Sequence, residues 1–110
     1  MISLHVYLTP KAGKERELEA AITDTWIAAM AQQPGFVSAA LLTPLPEGDL
    51  KKLGATRPQH TFEVLAFWNS EQERLEWVAR PIHDRVFLPV VALADSVSFT
   101  VQQVEHAWGL

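Results

Sequence analysis

This sequence predicts an α+β domain: a four-stranded antiparallel sheet with its helices packed on one face. Three observations carry the prediction. Strand-like patterns recur four times: alternation near 2–8, 62–68 and 96–105, and a short run apolar on both faces at 36–42. Helical spacing of apolar residues fills the interval after the first strand and the interval after the third. The resulting order, β-α-β-(loop)-β-α-α-β, is two βαβ halves folded around one core.

In the first strand Ile2, Leu4, Val6 and Leu8 alternate with Ser3, His5 and Tyr7, giving one apolar face that Thr9-Pro10 closes. From about residue 14 to 33, Leu18, Ile22, Trp26, Ala29 and Met30 recur at spacings of three and four. Gln33-Pro34-Gly35 stops that helix, because neither proline nor glycine continues it well. Residues 36–42 are apolar on both faces, which predicts a strand covered on both. The stretch 43–59 holds Pro44, Pro46, Gly48, Gly54 and Pro58 and reads as a long irregular connection, bordering a pocket or an edge and more mobile than the rest. Phe62, Val64, Ala66 and Trp68 then alternate with Glu63, Leu65 and Phe67. That strand stops at Asn69-Ser70, and Ser70-Glu71-Gln72-Glu73 has the spacing of a capping box. The helix it opens carries Leu75 and Trp77 until Pro81 ends or kinks it. A second helical piece holds Val86, Phe87, Val90, Val91 and Leu93, with Pro89 inside it. The last strand sets Val97, Phe99 and Val101 against Ser98, Thr100 and Gln102.

Helices over roughly 13–33 and 70–94 on one face give a ferredoxin-like sandwich whose other sheet face nothing in the chain covers. A second copy packing sheet against sheet is the economical cover, so a homodimer is expected. His5 and Tyr7 lie opposite the Leu4/Val6 row and His60 opens the third strand, so all three are candidates for hydrogen bonds to the partner. Trp108 and the tail from Glu105 are expected to extend the last strand or to reach the partner.

Composition excludes several classes. The 110 residues make one domain, 1–110, and 48% hydrophobic against 20% charged residues is too apolar for disorder. The net charge of −4 is interleaved and forms no basic stripe, which argues against nucleic acid as a partner. Without cysteine there is no disulfide, thiolate nucleophile or thiolate metal site. No apolar run reaches the roughly 18 residues of a membrane span, so no membrane partner is expected. A strand pattern from the first residues leaves no room for a signal peptide, and the chain reads as a cytoplasmic soluble domain.

Four stretches carry a resemblance: the opening strand into Pro10-Lys11-Ala12-Gly13, the Gln33-Pro34-Gly35-Phe36 turn, Phe67-Trp68-Asn69-Ser70, and Trp77 through Pro81-Ile82-His83. With this element order the sequence resembles the antibiotic biosynthesis monooxygenase superfamily, the dimeric α+β barrel group. The resemblance implies a pocket between helices and sheet, and cofactor-free oxygenation of phenols or quinols. Trp77 falls where a branch of that superfamily keeps a tryptophan; with His83 it is the candidate catalytic pair, and Trp68, Trp26, Phe36, Phe62, Phe87 and Val91 are expected against an aromatic small molecule. A haem-degrading branch of that superfamily uses a helix histidine, a strand asparagine and a helix tryptophan. Here the ligand position falls on Phe87 and the opening strand has no asparagine, so no cofactor is expected. The alternative function is a non-catalytic dimer of the same fold that only binds a small ligand.

The residues themselves give a plain site. His83 follows a proline where a helix restarts, and an imidazole exchanges protons near neutral pH, which suits a general base. The competing role is to cap that helix or to bond Asp84 or Glu73 at the surface. The indoles of Trp26, Trp68 and Trp77 supply broad rigid area for a flat ligand, or ordinary core. Arg80 and Arg85 flank His83 and are the cations within reach of an anionic substrate, or solvated helix ends. His5, His60, His83 and His106 show no ligand spacing with a carboxylate, so no metal is expected. Neither a phosphate-binding glycine loop nor a Gly-x-Ser-x-Gly elbow occurs.

Overall fold

The computed structural model describes residues 1–110. Its core begins with the apolar row of β1 (Ile2–Pro10), whose Ile2, Leu4, Val6 and Leu8 are all buried. β3 (Phe62–Trp68) supplies the matching row: Leu4 stands opposite Ala66, and Val6 opposite Val64. β2 (Phe36–Leu42) pairs antiparallel with β3, and β4 (Ala94–Gln103) with β1, giving the sheet order β2-β3-β1-β4. Long helices cover one face, where Trp26, Met30, Trp77 and Val90 join the β1 and β3 rows in a single cluster. This is the ferredoxin-like α+β sandwich with an antiparallel sheet that the sequence predicts.

The first helix, α1, is continuous but not uniform: α-helical over Glu15–Ala20, π-helical over Ala21–Ile27 and α-helical again over Ala28–Met30. Its buried residues, Leu18, Ile22, Trp26 and Met30, are spaced strictly by four. At about 3.6 residues per turn such a row drifts by about 40° per step. The wider winding of the middle segment cancels that drift and keeps Trp26 in line with its neighbours. Thr23 and Thr25 assist by donating to the carbonyls of Glu19 and Ala21, four residues back, at 3.0 and 2.6 Å.

The 43–59 stretch is less irregular than the sequence reading has it, because it holds a short helix, α2 (Glu47–Leu53). Glu47 and Asp49 lie in its first turn, Lys51 and Lys52 in its last, and left-handed Gly54 (φ 66°) closes it, so charge and C-cap both suit the helix. Leu50 is buried beneath it. The second helical region is two helices, α3 (Glu71–Ala79) and α4 (Pro81–Ala92), broken at Arg80, whose ψ of 143° is extended as the residue before a proline requires. The Ser70 cap forms as its spacing implies: Glu73 N–H donates to Ser70 Oγ at 3.2 Å. β4 starts and ends two residues earlier than the 96–105 reading, at 94 and 103, and only the Val104 N–H to Met1 carbonyl bond (3.0 Å) extends its pairing.

Candidate active site

The helix-covered face encloses a cavity of about 140 Å³ between the helices and the β1–β4 half of the sheet. Its floor is Leu4 and Val6 of β1 with Val97 and Phe99 of β4, and its roof comes from α1, α3 and α4. Only two polar side chains touch it, Arg74 and His83. β4 is the sheet edge, and Phe99, opposite Val6, is 64% exposed at the cavity's open side.

His83 enters this wall because Pro81 starts α4 afresh: the His83 N–H donates to the Arg80 carbonyl at 3.0 Å, in the first turn. Its ring lies edge-on to Trp77 (centroids 5.2 Å apart, 79°) and tilted against Phe87 at 5.3 Å. Phe87 in turn meets Trp26 at 4.9 Å. His83 Nδ1 lies 3.2 Å from Asp84 Oδ1. A carboxylate only accepts, so Nδ1 donates and the imidazole lone pair is left on Nε2, which has no partner in the chain. The arrangement is a histidine held in one tautomer among aromatic rings.

Arg74 is the other polar group, and the sequence reading passed over it. It stands three residues before Trp77 and four before Val78, on the face of α3 that borders the cavity. Glu71, one turn earlier, grips it: Arg74 Nε to Glu71 Oε2 is 2.8 Å and Nη2 to Oε1 is 2.5 Å. This charge-assisted bond holds the Glu71 carboxyl below its ordinary pKa, against the opposing pull of partial burial. The cations named from sequence lie elsewhere: Arg80 Nη1 donates to Gln33 Oε1 at 3.0 Å, Arg85 is exposed, and neither lines the cavity.

Of the residues proposed from sequence, the structure brings His83, Trp77, Trp26 and Phe87 together around the cavity. Trp68, Phe36, Phe62 and Val91 do not line it. Trp68 and Phe62 belong to the buried β3 row, Phe36 packs edge-on against Trp68 at 5.8 Å, and Val91 faces outward. The buried indole N–H groups of Trp26 and Trp68 have no acceptor in the chain. No residue of the 43–59 stretch borders this cavity; it borders a separate groove with Leu42, His60 and Glu63.

The opposite sheet face carries its own polar chain. Ser3 Oγ is 2.9 Å from His5 Nε2, and His5 Nδ1 is 3.0 Å from Glu63 Oε2. Tyr7 lies tilted against His60, with centroids 4.2 Å apart and ring planes at 31°. Leu65 and Phe67 share this face, and the Trp108 tail runs beside them with Trp108 itself 85% exposed. No three histidine, aspartate or glutamate side chains come together as a metal site needs. No helix is long and apolar enough to cross a membrane.

Among known proteins, the antibiotic biosynthesis monooxygenase family matches residues 1–87. No curated protein sequence matches the chain. Among solved structures, an asparagine-to-alanine mutant of SnoaB, a cofactor-independent oxygenase from Streptomyces nogalater, superimposes with a TM-score of 0.73 at 21% identity, over 96% of this chain and 94% of that one. Rv0793 from Mycobacterium tuberculosis gives 0.74 at 15% identity, over 98% of each chain. A protein of unknown function from Thermobifida fusca, described as dimeric and ferredoxin-like, gives 0.68 at 12% identity over 91% of this chain and 87% of that one.

Proposed function

Since the chain belongs to the antibiotic biosynthesis monooxygenase family, we propose that it oxygenates an electron-rich phenolic or quinol-type aromatic, without a cofactor, in the helix-covered cavity. The observation that carries this reading is His83, an imidazole with a free Nε2 in a wall otherwise made almost wholly of apolar side chains. A small aromatic ring fills a cavity of about 150 Å³. One ring of the substrate therefore occupies the space beside Trp26 and Trp77, and any further ring lies toward Phe99.

His83 Nε2 takes the phenolic proton, and its Asp84 bond steadies the imidazolium that results. The phenolate is the reductant: it passes an electron to dioxygen, and the two radicals combine at the ring carbon para to the oxygen. The peroxide so formed takes back the proton held on His83 and, with the hydrogen of that ring carbon, loses water to leave a quinone. A phenol plus dioxygen thus gives a quinone plus water, with one oxygen atom in each product and all four electrons drawn from the substrate. The apolar wall keeps bulk water from the intermediate and strengthens the charge interactions within.

The active form is a homodimer whose subunits meet through the open sheet faces. Leu65, Phe67 and Tyr7 would otherwise face water, and the similar Thermobifida fusca structure is described as dimeric. Light scattering that gave a 12 kDa species at micromolar concentration would contradict this.

The test is oxygen uptake by metal-free protein with 1-naphthols and anthrones whose carbon para to the oxygen bears hydrogen. Steady turnover without flavin or metal, with one atom of labelled oxygen in the product, is expected. Tight ligand binding with no oxygen uptake would instead establish a binding module.

A further inference from the structure

We propose that the cavity reads a second group on its ligand, a carboxylate on the aromatic frame that is ionised at neutral pH, and that Arg74 is the residue that receives it. This rests on the reading of the cavity as the ligand site but not on the oxygen chemistry.

A guanidinium carries five N–H donors along two usable edges. Glu71 occupies one edge, through Nε and Nη2, and Nη1 makes no hydrogen bond in the chain. The residue is only 9% exposed, yet it lines the cavity. The Nη1 donors of this largely buried guanidinium therefore have no acceptor in the chain, and Nη1 is not itself sealed off, so a ligand in the cavity can reach it. A carboxylate matches the remaining edge in charge and in planar geometry, whereas a neutral phenol offers one weaker acceptor.

Glu71 has a defined part in this. It fixes the guanidinium plane one turn from Trp77, and its side chain is 40% exposed, so it sits toward solvent while the arginine sits inward. It also offsets the arginine's charge, which limits how tightly an incoming anion is held. Arg74 and His83 are the cavity's only polar side chains, so a hydroxyaromatic carboxylic acid engages both: the acid at Arg74, the hydroxyl at His83. Arg80 is tied to Gln33 and Arg85 lies outside the cavity, so no other arginine competes.

Calorimetric titration with 2-naphthoate and its neutral isostere 2-naphthamide tests this, since neither probe is oxidised. Wild-type protein is expected to bind the carboxylate at least about tenfold more tightly than the amide, as a charge-assisted bond implies. Arg74→Gln should abolish the preference and Arg74→Lys should keep part of it. Glu71→Gln, which removes the competing carboxylate, should tighten naphthoate binding and leave naphthamide unchanged. Equal affinity for both probes in the wild type, or a preference that survives Arg74→Gln, would overturn the proposal. A naphthoate preference without oxygen uptake for any phenol would sink the oxygenase reading and leave Arg74's role standing. Uptake with a hydroxynaphthoate at a KM unchanged by Arg74→Gln would do the reverse.

Discussion

The two faces of this sheet are made by the same strands and solve opposite problems. On the helix-covered face, Leu4, Val6, Val64 and Ala66 lie under Trp26 and Trp77, and almost every polar group has been removed. Besides the indole N–H groups, the two that line the cavity, Arg74 and His83, are each held by a carboxylate outside the apolar wall. On the open face, His5 bonds both Ser3 and Glu63, and Tyr7 lies against His60. There Ser3, His5 and Glu63 form one hydrogen-bonded chain, and Glu63 is the single carboxylate among the face's strand positions. A face whose one carboxylate is already paired and whose other groups are uncharged or apolar is ready to be covered. A face whose polar atoms are held in place but left with free valences is ready to bind a ligand.

The sharpest contrast is between neighbours on β3. Trp68 is fully buried under the helices, and truncating it to alanine should cost about 3–5 kcal/mol in chemical denaturation. Phe67 points the other way, so Phe67→Ala should weaken dimerisation by about 2 kcal/mol, read by dilution in sedimentation, while leaving the fold intact. If the two substitutions had equal effects on unfolding and none on association, the division between faces would fail. A smaller effect, about 1 kcal/mol of thermal stability, should follow Ser70→Ala, because Ser70 Oγ accepts from Glu73 N–H at the start of the helix that carries Arg74 and Trp77.

The faces were legible in sequence and the cavity only in part. Period-two alternation in 62–68 fixes which side each residue takes, so the buried row of β3 could be read directly. His83 could be placed because Pro81 must restart a helix. The π-helical segment of α1 left one mark, a strict spacing of four, which looks much like ordinary amphipathicity. α2 hid behind Pro46 and Gly48, although its acidic start, basic end and following glycine were all present. Trp68 and Phe62 were assigned to the ligand because a tryptophan suits core and pocket equally, and period alone cannot say which. Arg74 was passed over because a cation on an amphipathic helix ordinarily faces water. Its spacing from Glu71 and Trp77 was the available signal, and the cavity that turns it inward depends on β4, far along the chain.

The least of the expected effects is a pH dependence. Arg74 holds the Glu71 carboxyl below its ordinary pKa in the folded chain. The unfolded chain therefore takes up a proton first as pH falls, and stability present above the ordinary carboxylate range declines as pH drops through the depressed folded value. Glu71 is partly exposed and solvent screens the pair, so the change should be small. Glu71→Gln should flatten that part of the acid limb in a pH series of denaturation curves.

The most direct test sets one histidine from each face against the other. Initial rates of oxygen uptake with a phenolic substrate should be compared for wild type, His83→Ala and His5→Ala, at a concentration where all three are dimers. The account predicts a loss of at least about a hundredfold for His83→Ala, as removal of a general base implies, and a rate near wild type for His5→Ala. A His83→Ala protein that turns over normally while His5→Ala does not would place the chemistry on the open face and contradict the account.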